Sequence, residues 1–342
     1  MSLPQSLTLP VNLLSTSFNN TSATYKYYWL LAIIHSVEDG SLIIKKKDLF
    51  ARMISEAWYT VNYFHVSFGK QDLIQEAILT IKEIEQITID TDRYIVFTKI
   101  ASSSNKNTVS CLSHFDKNVP HWFLSSWLPK MDRQKIYAAS KTFHNKCLYA
   151  LYPDEIRINP RWVSYLKENA KMLKDFCYWN LALFLQGKNP NVPDIPNKLT
   201  KPILRRGLQG QRKFWDEVLY ERQDLKCIYT GNPLVVKNYA VEHFIPHNFI
   251  AHDLMWNLIP ADKSFNCTKS DKLPPLDIYF NKFYNLQKVA FELMREKQPG
   301  NKLLQDYLTI FPDATQNFTR QKFSDQIQPL VTIAHNNGFL YF

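Results

Sequence analysis

Four prolines, Pro190, Pro193, Pro196 and Pro202, crowd the stretch around residues 187–201. No continuous helix and no central strand can run through such a segment, because each proline removes a backbone donor and fixes φ. With little hydrophobicity besides, it reads as a linker. A chain of 342 residues divided there is long enough to bury a sizeable core on either side. The expected organisation is an N-terminal, mostly helical region over 1–110 and a helical middle region over 111–200 that ends in the linker. A mixed α/β segment over 205–275 and a helical C-terminal cap over 276–342 follow. The fold class expected is α+β and helix-dominated.

Apolar spacing supplies the elements. Helical periodicity covers about 22–37, where Glu38-Asp39-Gly40 ends it, and about 48–61, where Leu49, Met53, Ile54, Trp58 and Val61 share one face. It recurs over 73–87, 162–185, 283–297 and 301–311. Residues 89–100, with Tyr94, Ile95, Val96 and Phe97, read as a strand, and 102–108 as a polar loop and boundary. The apolar run 28–34 is too short to span a bilayer and reads as a buried helix. The aromatic runs 25–29, 58–64 and 122–127 fit a core better than base-stacking platforms. No repeat or low-complexity tract is present.

The net charge of +10 favours a polyanionic partner. Five cysteines, scattered and without any CxxC pair, argue against a disulfide framework and against a four-cysteine zinc site. No secretory signal is expected, since the N-terminus lacks a basic n-region, and no membrane association. A reducing cytoplasm fits best.

The chemistry concentrates in 226–274. There, 227–230 reads as a short strand, Gly231-Asn232-Pro233 as a turn, 238–243 as a second strand, and 262–269 as a short helix. Glu242-His243 closes the second strand. Asn257 follows His243 by fourteen residues and Asn266 by twenty-three. A carboxylate and an amide oxygen suit a hard cation such as Mg²⁺, and an adjacent histidine can take a proton from an attacking water. Asp262, one turn before Asn266 on the same helical face, rivals it as the second ligand. Lys269, one turn after Asn266, can face a phosphate or solvent. His247, His252 and Asp253 read as structural or exposed. Lys272 and the pairs Arg205-Arg206 and Arg212-Lys213 are candidates for backbone contacts with nucleic acid.

Three spaced elements, Val241-Glu242-His243-Phe244-Ile245-Pro246, Trp256-Asn257-Leu258-Ile259-Pro260 and Asn266-Cys267-Thr268-Lys269-Ser270-Asp271-Lys272-Leu273-Pro274, resemble the HNH (ββα-metal) nuclease family. The likeness is nearest to the HNH domain of type II CRISPR effector nucleases and covers about fifty residues. It implies Glu242 and Asn266 as metal ligands, His243 as general base, and Asn257 as the residue that ties the loop so that the base is aimed. Many relatives carry CxxC pairs that bind a structural zinc; Thr230 stands where the second cysteine would be, so no structural zinc is expected.

The resemblance implies a metal-dependent endonuclease using Mg²⁺ or Mn²⁺. DNA ranks ahead of RNA as substrate, and microbial defence or restriction is the expected setting. Two alternatives remain open: a nuclease subunit silent until a regulatory partner protein activates it, and a nucleic-acid-binding scaffold with a relic HNH domain. A homodimer is one assembly the reading allows.

Overall fold

The structure, a computed structural model, describes residues 3–19, 21–201 and 207–342. The chain forms two compact units, one of residues 1–190 with 195–201 and the other of 191–194 with 202–342. The expected contacts of Arg205 and Arg206 fall outside the described residues.

The first unit is built around α1 (Tyr25–Glu38). Every residue from Tyr28 to Ile34 is inaccessible to solvent, so this helix is apolar all round because it is buried all round. Against it packs α2 (Lys46–Asn62), and α2 in turn packs on α3 (Leu73–Glu85). The expected stripe of α2, from Leu49 to Val61, is buried. Asp72 caps α3 by accepting from the Ile74 amide at 3.0 Å, and it also accepts from the Thr24 amide and hydroxyl at 2.5 and 2.6 Å. One carboxylate thereby satisfies orphan donors at the start of two helices.

The strand expected over 89–100 is a helix, α4 (Arg93–Ser102). Its β-branched and aromatic residues favour extended structure, but Asp92 caps the segment by accepting from the Tyr94 amide at 2.8 Å. Only Val96 and Ile100, four residues apart, are buried, while Tyr94 and Ile95 face solvent. The stretch 162–185 is two helices, α5 (Pro160–Glu168) and α6 (Ala170–Lys188), broken at Asn169, whose side chain donates to the Tyr165 carbonyl. A small antiparallel sheet of β1 (Ile43–Lys45), β2 (Tyr149–Leu151) and β3 (Glu155–Ile158), in the order β1-β3-β2, completes the unit. Of the three aromatic runs, Tyr28, Trp29, Trp58, Phe64 and Trp127 are core residues, whereas Trp122 is exposed.

The second unit comprises α7 (Gln209–Glu221), β4 (Ala240–His243), α8 (His247–Ile250), β5 (Leu258–Ala261), α9 (Lys263–Lys269), α10 (Leu276–Lys297) and α11 (Arg320–Asn336), with shorter turns between. The molecule is thus α+β with helices dominant. The pairing within the mixed segment differs from expectation. Residues 227–230 form a turn rather than a strand, because the Gly231 amide bonds back to the Cys227 carbonyl and Gly231 takes φ +76°. The partner of β4 is instead β5, antiparallel, with Glu242 opposite Ile259 and His243 opposite Leu258. The helix expected over 301–311 is interrupted, with a tight turn at Lys302–Leu304 and one helical turn at Gln305–Leu308.

The ββα core is clamped by α10. Phe244 and Phe283 stack with ring centroids 3.8 Å apart. Buried Gln287 donates to the Met255 and Leu258 carbonyls at 3.1 and 2.9 Å and accepts from the Tyr307 hydroxyl at 2.6 Å. No helix among the described residues is long and apolar enough to cross a membrane.

Candidate active site

Successive strand residues point to opposite faces, and the end of β4 uses both. Glu242 turns to α9, where its Oε1 accepts from Lys269 Nζ at 2.7 Å. The same ammonium donates to the His243 carbonyl at 2.8 Å. Lys269 is fully buried. Burial pushes its pKa down, and the neighbouring Glu242 carboxylate opposes that shift. Lys269 is therefore an internal strut between β4 and α9 and not a solvated lysine. Asn266 lies one turn earlier on α9, half-buried, on the face that Lys269 directs at Glu242. Hydrogen bonds occupy only Oε1 of Glu242, and the Asn266 carboxamide makes none among the described residues. A carboxylate oxygen and an amide oxygen left free on β4 and on the same face of α9 are hard donors of the kind a divalent ion prefers.

His243 turns the other way. Its Nε2 lies 2.8 Å from Asp253 Oδ1. A carboxylate can only accept, so Nε2 carries a proton, and in the neutral ring Nδ1 carries the lone pair. Asp253 reaches this place because α8 stops abruptly. Ala251 adopts φ +61° and its amide bonds back to the His247 carbonyl at 2.7 Å, turning the chain toward β4. His247, the first residue of α8, sits with its ring 5.1 Å from that of His243, at 71°, and its Nε2 is 3.9 Å from the same Asp253 oxygen.

Asn257 is fully buried. Its Oδ1 accepts from the Ile245 amide and its Nδ2 donates to the Ile245 carbonyl, both at 2.8 Å. Its own carbonyl accepts from the Phe244 amide at 2.8 Å. Three bonds thus lock the two residues that follow His243.

Asp262 serves as the N-cap of α9. It accepts from the Ser264 amide and hydroxyl and from Asn232 Nδ2, bonds that hold its carboxyl below the usual range. Arg212 donates to the Tyr239 carbonyl at 3.0 Å and lies over that ring, so it braces the start of β4. Lys213 and Lys272 are exposed.

The sequence reading set aside Asp253, His247 and His252. The only trace of Asp253 was a carboxylate ten residues after His243, and that spacing carries no meaning until Ala251 turns the chain. His252 is mostly buried, and burial lowers its pKa to about 4. Its folded value lies below the unfolded 6.5, so the unfolded state binds more protons between those values. Stability of the second unit is expected to be fully present above pH 6.5 and to fall as pH drops toward 4, by at most about 1.4 kcal/mol per pH unit from this group. Urea titrations across that range should show the slope flattening in His252→Gln; an unchanged slope would assign it to other groups.

Comparison with known proteins points to the same segment. The HNH endonuclease family matches residues 227–275. Among curated proteins, the CRISPR-associated endonuclease Cas9 of Listeria innocua serovar 6a is 33% identical over 94 residues, covering 27% of this chain and 7% of that protein. The aligned stretch is thus a small part of that relative. No solved structure matches the chain. The family match and the β4–β5–α9 arrangement fall on one segment, and residues 227–275 carry a domain of the HNH endonuclease family.

Proposed function

We infer that this chain is a metal-dependent endonuclease that hydrolyses nucleic-acid phosphodiester bonds, with His243 as general base. The observation that carries the reading is the Asp253–His243 pair. By accepting from Nε2, Asp253 holds the imidazole in the tautomer whose Nδ1 can receive a proton, the role an orienting carboxylate plays beside a catalytic histidine. Glu242 and Asn266 would hold the ion through their side-chain oxygens. An ion of the Mg²⁺ or Mn²⁺ class supplies Lewis-acid polarisation of the phosphate and charge stabilisation at the leaving oxygen. Lys269 fixes the Glu242 carboxylate and the His243 backbone in one register. Asn257 keeps the turn after His243 rigid, so the ring does not wander.

DNA is the substrate proposed ahead of RNA, in a defence or restriction setting, on the resemblance of the motif to HNH nucleases. The net charge of +10 supports a polyanionic substrate. The test incubates the full chain with supercoiled plasmid, single-stranded DNA and RNA, with Mg²⁺ or Mn²⁺ and with chelator. Cleavage that needs the ion and stops with chelator is the expected result. Intact substrates under every condition would leave the domain without the activity assigned to it.

A further inference from the structure

One ring nitrogen each of His243 and His247 and a carboxylate oxygen of Asp253 lie within 4.8 Å of one another, and Nε2 of both rings faces the same Asp253 oxygen. We propose that these three side chains form a second ion site, for a zinc-class transition metal, and that its occupancy switches the nuclease off by capping the imidazole of its base.

The donor set is the first argument. Two imidazole nitrogens and one carboxylate suit zinc-class ions, whereas Glu242 and Asn266 offer only oxygen. The two sites therefore sort ions by softness, and Mg²⁺ has no reason to prefer the histidines. Geometry is the second. Tetrahedral donors about 2.1 Å from zinc stand about 3.4 Å apart. The carboxylate-to-imidazole distances of 2.8 and 3.9 Å fall on either side of that value, and the two imidazole nitrogens stand no more than 4.8 Å apart, so shifts of about an ångström close the donors on an ion. Position is the third. His243 ends β4, His247 opens α8, and Ala251 with φ +61° swings Asp253 back onto both. The three donors are held by backbone already in place, and three protein ligands leave the fourth zinc position to water.

The consequence follows from proton placement. Paired with Asp253, neutral His243 carries its proton on Nε2 and offers a lone pair at Nδ1. A metal at Nε2 needs the lone pair there, so the proton moves to Nδ1 and none is lost from the ring. A nitrogen that bears a proton cannot take one from water. The ion thus removes the base without touching Glu242 or Asn266. The regulatory half of this proposal rests on His243 being the base; the ion site itself does not.

The test titrates the full chain with Zn²⁺ against a chromophoric chelator, and with Co²⁺ followed by its visible absorption, for wild type, His247→Gln and Cys267→Ser. One ion per chain is expected in wild type and in Cys267→Ser. Binding should be at least about tenfold weaker in His247→Gln, the scale on which even outer-shell changes act on metal sites. In Mg²⁺, zinc should stop plasmid cleavage by wild type, and a zinc chelator should restore it. His247→Gln should cut normally without zinc and keep cutting at zinc levels that silence wild type. Equal zinc affinity in His247→Gln and wild type, or no binding by wild type, overturns the site. Tight binding that leaves wild-type cleavage unchanged overturns the switch. A chain that cuts nothing with or without zinc defeats the nuclease reading and with it the switch, while the titrations still decide the site.

Discussion

His243→Ala is expected to lower the rate of plasmid cleavage by about 10²–10⁴-fold, the usual contribution of a positioned general base, while the second unit stays folded. Among the described residues the side chain makes one hydrogen bond, to Asp253, and it stands at the end of a two-stranded ribbon. Folding should therefore lose about 1.5–3 kcal/mol, the size of one bond to a charged acceptor. Asp253→Asn offers a sharper version of the experiment. An amide can donate to Nε2 as well as accept from it, and donation leaves the proton on Nδ1. The expected result is a loss in kcat, with KM little changed and the pH–rate profile displaced. A merely structural aspartate would instead move stability and leave the profile in place. Wild-type rates for His243→Ala with the same metal would refute the assignment of the base.

The second large effect concerns Glu242 and Lys269. Removing one member of a buried ion pair strands the other and costs about 3–5 kcal/mol. Lys269 is fully buried, with only Glu242 Oε1 and the His243 carbonyl among the described residues to satisfy its ammonium. Glu242→Ala should therefore unfold the second unit at markedly lower urea, and its inactivity alone would say little about metal binding. The informative variant is Glu242→Leu with Lys269→Met, which replaces the pair by apolar groups of similar size. Stability should largely return, since such replacements are often neutral or better, while cleavage should not. A double variant as unstable as Glu242→Ala would show that the site lacks room for an apolar pair. A double variant that cuts normally would remove Glu242 from the proposed metal site.

The long helices were legible because burial writes itself as periodicity. The stripe from Leu49 to Val61 and the apolar run 28–34 could hardly be anything but core-facing helix. Residues 93–102 were misread because side-chain preference and capping disagree there. Tyr, Ile, Val and Phe favour a strand, and a single aspartate at the front, together with two buried positions four apart, decides for a helix. The ββα core was legible as a motif but not as a pairing. A strand partner fourteen or more residues away leaves no local mark, and the nearer segment 227–230 looked extended until Gly231 curled it.

By itself, the sequence determined the candidate chemistry: a carboxylate, an imidazole and two amides at spacings that resemble a known nuclease domain, in a basic chain interrupted by prolines. Tertiary structure alone decided how those groups are used. It set Lys269 on Glu242, Asp253 on His243 and His247 within reach of both, since each contact depends on a strand end, a helix stop or a positive φ that brings distant residues together. Donor type is a property of residues and can be read in order along the chain. Direction and distance belong to the packed backbone, which exists only once β4, β5, α9 and α10 have come together.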